Sequence, residues 1–139
     1  SWANLLKGEA YDQFSLNYIK KLLSMLKKDP ITKNTPIILF ARDPSCDVNN
    51  FLIPELDCLS LFTSADINEA MNTFNGEMAI QGNLDPKMLL ESDAILVDAV
   101  KQLSASFQDY PGYIFNLGHG ITPDINPEKV AVMLDALRS

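Results

Sequence analysis

Short unbroken apolar runs alternate along this chain with stretches of helical periodicity, and that alternation restricts the fold more than any other feature. The runs are Pro36-Ile37-Ile38-Leu39-Phe40-Ala41, Cys58-Leu59-Ser60-Leu61-Phe62, Glu77-Met78-Ala79-Ile80-Gln81 and Gly112-Tyr113-Ile114-Phe115-Asn116-Leu117. None shows a regular polar alternation, so each is expected to be a strand covered on both faces. Between them lie helical stripes. Residues 12–28 place Ile19, Leu22, Leu23 and Leu26 on one face and stop before Pro30. A shorter helical stretch falls around Val48–Leu56. Thr63-Ser64 can cap a helix bearing Ile67, Ala70, Met71 and Phe74. Asp85-Pro86 and Asn126-Pro127 each combine a cap with a proline at the first helical position. They introduce the stripes Leu96, Val100, Leu103, Phe107 and Val130, Met133, Leu134, Leu137. Strand and helix in strict alternation predict right-handed βαβ units and a parallel sheet. Four such units make either a small open sheet with helices on both faces or half of a (β/α)8 barrel. Periodicity alone supports both.

The 139 residues form one segment, 1–139, without repeat, linker or low-complexity tract. Asp and Glu number 18 against 11 Lys and Arg, a net charge of −7. That balance argues against nucleic acid and anionic membrane as partners, since both call for a basic footprint. No apolar run approaches the ~18 residues of a membrane span, and no signal-peptide pattern opens the chain. Cys46 and Cys58 are too few for a disulfide framework, so the expected compartment is the cytoplasm. The chain opens at Ser1-Trp2-Ala3 without an initiator methionine, and is expected to be a piece of something longer.

In both architectures chemistry belongs at the carboxyl ends of the strands. Those ends read Arg42-Asp43, Phe62-Thr63-Ser64, Gly82-Asn83-Leu84-Asp85 and Gly118-His119-Gly120. The last holds the chain's single histidine between two glycines, which permit unusual backbone angles and close approach to a ligand. From the residues alone this is either a ligand contact or a glycine-rich turn with a solvent-facing imidazole. Asp85 reads as a helix cap and Asn83 as a turn residue. Arg42 suits an anionic ligand or a surface pair with Asp43 or Asp47. The cysteines lack zinc spacing, and neither a phosphate-binding glycine loop nor a hydrolase triad is present.

The stretch Tyr113-Ile114-Phe115-Asn116-Leu117-Gly118-His119-Gly120-Ile121, with Pro123 and Asn126-Pro127-Glu128-Lys129-Val130, resembles the C-terminal motif of the uroporphyrinogen decarboxylases. Ser1-Trp2-Ala3, the stretch Phe14-Ser15-Leu16 with Tyr18-Ile19-Lys20-Lys21, and Ala79-Ile80-Gln81-Gly82-Asn83-Leu84-Asp85-Pro86 resemble further segments of that family in the same order. The resemblance implies the C-terminal part of a (β/α)8 barrel, about half of it. It implies decarboxylation of the four acetate side chains of uroporphyrinogen to methyls, giving coproporphyrinogen, in haem biosynthesis. It implies no cofactor and no metal, and a parent that is a homodimer. Under it, Ser1 and His119 are substrate-binding, Arg42 is a possible substrate contact, and the catalytic carboxylate and most arginines lie in the N-terminal half. This segment alone is then expected to be inactive. Two stretches depart from the family pattern. Ser60-Leu61-Phe62-Thr63-Ser64 replaces a run with a rim aspartate and a tryptophan, and Asp43-Pro44-Ser45-Cys46 replaces a glycine-containing turn. The alternatives are a non-catalytic tetrapyrrole-binding or structural half-barrel, and a zinc-dependent corrinoid or thiol methyltransferase of the same superfamily.

Overall fold

The computed structural model describes residues 5–42 and 46–139. Strands β1 (Ile38–Phe40), β2 (Cys58–Ser60), β3 (Ala79–Gln81) and β4 (Tyr113–Ile114) form one parallel sheet in the order β1-β2-β3-β4. A doubly wound sheet reverses its order at a switch point. Here every strand pairs with its predecessor, the order found in four consecutive units of a (β/α)8 barrel. All four carboxyl ends, with Arg42, Phe62, Asn83 and His119 beyond them, therefore share one rim.

Parallel pairing and the two-residue period sort the side chains into two faces. Leu39, Leu59, Ile80 and Tyr113 align on one face, and Phe40, Ser60, Gln81 and Ile114 on the other. The first face packs under the helices. Leu59 and Ile80 are 2% and 0% exposed, and the Tyr113 ring stacks on Phe107 at a centroid distance of 3.9 Å. Fully burying an aliphatic side chain of this size stabilises by roughly 1.5–3 kcal/mol. The second face is open at both edges, with Ile38 49%, Phe40 41% and Ile114 42% exposed. The expectation that all four strands are covered on both faces is thus corrected. Only β2 is buried throughout, and the face of the sheet away from the helices is left uncovered at the β1 and β4 edges.

The helices follow the sequence stripes with local corrections, among them that Asp85-Pro86 opens a separate 3-10 turn and not the Leu96 helix. A continuous helical segment runs through Glu9–Tyr11, a π-wound turn Asp12–Leu16, and α1 (Asn17–Lys28). The wide turn spaces Tyr11 and Leu16 by five residues, so both join Leu23 in the core. Leu22 instead falls with Phe14, Tyr18 and Met25 on an exposed apolar face. The stretch expected around Val48–Leu56 is a 3-10 turn, Val48–Phe51. Helix α2 (Ile67–Phe74) is capped by Asp66, whose carboxylate accepts from the backbone N–H of Asn68 and Glu69 at 2.8 and 3.2 Å, and not by Thr63-Ser64. An ionised carboxylate outcompetes a hydroxyl for the partly positive helix start.

Asp85 caps a 3-10 turn, Pro86–Leu90, and Ser92 caps α3 (Asp93–Ser106). Leu96, Val100, Leu103 and Phe107 of that stripe are all buried. Helix α4 (Glu128–Arg138) begins where the Asn126 side chain accepts from Glu128 N–H at 3.0 Å. Met133 and Ala136 face the core, whereas Leu134 is exposed. Lys129 ties α4 to α3 through Asp93 at 2.6 Å and the Glu91 carbonyl at 2.7 Å. Among the described residues no helix is long and apolar enough to cross a membrane.

Candidate active site

Three residues of the open face, Phe40, Ser60 and Gln81, stand in one row across β1, β2 and β3 at their carboxyl ends. With Asn116, Leu117 and His119 beyond β4 they line a hollow of about 290 Å³. A larger hollow of about 390 Å³ lies by Leu56, Glu77 and Met78. Those residues precede β2 and β3, the end of the barrel that carries stability and not chemistry. The smaller hollow is the candidate site.

Local backbone chemistry builds its floor. The segment after β4 stays zipped to the segment after β3. Leu84 N–H donates to the Asn116 carbonyl at 3.1 Å, and Gly118 N–H donates to the Leu84 carbonyl at 2.8 Å. Gly118 is buried, and a Cβ there would overlap Thr63 Oγ1 and stand 2.6 Å from the Thr63 backbone nitrogen. The expectation that the flanking glycines serve an approach to ligand is therefore modified. At Gly118 the close approach is to the chain's own β2–α2 loop, and at Gly120 a Cβ would meet nothing within 4 Å. A positive φ is found instead at Gly82, whose φ is +121° and whose carbonyl accepts from the Tyr113 hydroxyl at 2.5 Å.

The histidine held on this floor has a defined hydrogen-bond pattern. His119 Nδ1 lies 2.8 Å from the Gly120 carbonyl. A carbonyl only accepts, so Nδ1 carries the proton, and Nε2 is an acceptor in the neutral ring and a donor only in the imidazolium.

The other expected residues are distributed around this centre. Arg42 is half-buried just past β1, at the same rim but outside the lining of the hollow. The second arginine, Arg138, sits exposed on α4 with Asp135 at 3.9 Å. Asn83 is 7% exposed, and its amide donates to the carbonyls of Phe62 and Ala65 at 3.1 and 3.2 Å, clamping the β2–α2 loop. Ser1, Asp43, Pro44 and Ser45 lie outside the described residues. Burial pushes the Cys58 thiol up to about 11, with Asp57 adding to the effect, and burial also raises Cys46. Both are thiols at neutral pH and poor nucleophiles. Among the described residues no three of His, Cys, Asp and Glu gather as a metal site.

Sequence reasoning missed Ser60, Gln81 and Asn116. The signal was present: Ser60, Gln81 and Asn116 each interrupt or end one of these apolar runs, and each of the three falls on the hollow.

A model of the family described as uroporphyrinogen decarboxylase matches residues 1–139. The chain belongs to the uroporphyrinogen decarboxylase family. It is 35% identical over 137 residues to the uroporphyrinogen decarboxylase of Alcanivorax borkumensis, covering 99% of this chain and 39% of that protein. Identity is 36% over 137 residues with that of Hahella chejuensis, at 99% and 38% coverage. With that of a Jannaschia species it is 40% over 141 residues, at 100% and 40% coverage. The chain thus spans about two-fifths of the length of these relatives. Within the family frame, the nine-residue stretch Tyr113–Ile121 is β4 together with the loop that carries His119 to the rim.

Proposed function

We propose that this chain supplies the last four β/α units of a uroporphyrinogen decarboxylase barrel, and that the assembled barrel converts uroporphyrinogen to coproporphyrinogen. The single observation that carries this reading is the placement of His119. It stands over an open hollow at the carboxyl rim, on a loop fixed by the Gly118–Thr63 contact and the Gly118–Leu84 hydrogen bond. Each acetate loses CO2 by breaking its carbon–carboxyl bond, and the electron pair left behind passes into the protonated pyrrole. A proton then adds to the methylene carbon to give the methyl, while the ring gives up its extra proton. Catalysis of this kind is electrostatic positioning. Ser1 and His119 then contact substrate, and Arg42 is the arginine at the rim suited to an anionic ligand. The central carboxylate and further cations come from the other units. A chain of net charge −7 is poorly suited to hold a polycarboxylate alone, which supports that division. The working form under this reading is a homodimer of whole barrels.

The test is reconstitution. This chain is co-produced with the N-terminal three-fifths of the Alcanivorax relative, and porphyrinogens are separated after oxidation. The combination is expected to release coproporphyrinogen while the chain alone releases none. Turnover by the chain alone, or a reconstituted barrel that binds but never decarboxylates, overturns the assignment.

A further inference from the structure

The hollow beneath His119 carries hydrogen-bond donors but no formal charge, and counting its hydrogens shows what it can hold. Gln81 Nε2 lies 3.2 Å from Ser60 Oγ. The pair owns three polar hydrogens, two on the amide and one on the hydroxyl, and their mutual bond uses one. If the amide is turned over, Ser60 donates to Gln81 Oε1 and both amide hydrogens remain. Either way two hydrogens are left over. Asn116 is fixed more firmly. Its Oδ1 accepts from Leu117 N–H at 2.8 Å, and an N–H can only donate, so the amide nitrogen must be the other end. Its two hydrogens have no partner among the described residues.

Four hydrogens on three side chains therefore border one hollow of about 290 Å³, whose lining contains no aspartate, glutamate, lysine or arginine. Against these four hydrogens stand two open acceptors, one oxygen of the Ser60–Gln81 pair and the neutral His119 Nε2, so the hollow is donor-rich and favours an oxygen-rich, donor-free group. Among biological side groups that is a carboxylate, held as oxyanions are held by neutral dipoles. The volume lies at the small end of the ~300–1,000 Å³ of small-molecule sites, so it takes one arm of a large ligand and not the whole.

We propose that Ser60, Gln81 and Asn116 form an uncharged subsite for a single carboxylate arm of the substrate, separate from any arginine clamp. This rests on the reading of the protein as a decarboxylase of a polycarboxylate. Asn116 and Gln81 set which arm enters, because an arm that is already a methyl leaves all four donors unpaired.

The experiment uses the barrel reconstituted with the N-terminal three-fifths of the Alcanivorax relative and uroporphyrin, the stable oxidised octacarboxylate, followed by porphyrin fluorescence. Gln81→Glu and Asn116→Asp keep the shape, remove the amide donors and add a negative charge. Asn72→Asp adds the same charge on the exposed side of α2. Saturable binding by the wild type is expected, weakened about tenfold or more by each of the first two variants and less than twofold by Asn72→Asp. Ser60→Ala is expected to weaken binding severalfold. Asn116 is exposed, so its variant reports even if Gln81→Glu fails to fold. No saturable binding by the wild type, unchanged binding by Asn116→Asp, or an equal loss with Asn72→Asp overturns the subsite. The reconstituted barrel separates the two readings. Decarboxylation that persists with unchanged KM in Asn116→Asp removes the subsite and keeps the enzyme. Donor-dependent binding without decarboxylation keeps the subsite and removes the enzyme.

Discussion

The two faces of the sheet are made by alternate residues of the same strands, yet they differ in packing and in exposure. Toward the helices, Leu39, Leu59, Ile80 and Tyr113 form a continuous apolar layer closed by Phe107. Toward the other side, Ile38, Phe40 and Ile114 are open, and Ser60 and Gln81 bond to one another. The helix face is covered within this chain, and the opposite face is open at both edges. Stability and function are therefore separated by the step from one residue to the next.

That separation is broken most directly by trimming one residue on each face. Ile80→Ala removes a fully buried side chain and is expected to cost about 2–5 kcal/mol. Ile38→Ala, on the half-exposed inner edge, is expected to cost less than ~1 kcal/mol. Urea denaturation of both variants checks the pair, and equal losses would mean that the two faces are equally packed.

A second comparison sharpens the first at the rim. Gly118→Ala drives a methyl into Thr63 and is expected to destabilise by about 1–3 kcal/mol, displacing the His119 loop as it does so. Gly120→Ala meets open space and is expected to change stability by less than ~0.5 kcal/mol. Thermal melts distinguish them, and a tolerant Gly118 would detach the loop from the helix-side framework.

The smallest effect lies where β2 begins. The Asp57 carboxylate accepts from Lys27 at 2.6 Å and from Ile37 N–H at 2.8 Å, and the Lys27 ammonium beside it holds its carboxyl below the ordinary carboxylate range. Its folded pKa is thus below its unfolded one. The unfolded chain binds more protons in acid, so this contribution is present at neutral pH. It is lost as pH falls from about 4 through the lower folded value. Asp57 is 44% exposed, and solvent screening keeps the contribution below ~1 kcal/mol. Asp57→Asn is expected to flatten the acid limb of the stability curve slightly, as measured by urea midpoints between pH 3 and 6.

How much of this was legible in the sequence follows the same division. Strands, their parallel pairing and the stripe Leu96, Val100, Leu103, Phe107 were readable, because burial on the helix face leaves an unbroken apolar record. The cap of α2 was not, since Thr63, Ser64 and Asp66 all have the chemistry and only the turn geometry chooses Asp66. The wide turn at Asp12–Leu16 shifted Leu22 out of the core, which a fixed 3.6-residue period cannot register. His119 was found by its flanking glycines, although Gly118 turned out to serve packing. Ser60, Gln81 and Asn116 passed as ordinary polar interruptions because the row they form exists only once the register is known.

The consecutive strand order also has a kinetic meaning. Ile38 pairs with Cys58, Cys58 with Ala79 and Ile80 with Tyr113, separations of 20, 21 and 33 residues along the chain. Loop-closure entropy grows only logarithmically, so the longest of these closures costs just about 0.4 kcal/mol more than the shortest. Each new strand docks on the one made immediately before it, and among the described strands no pairing waits for a distant partner. Such a chain can gain its sheet one unit at a time, in the order in which a ribosome would deliver it.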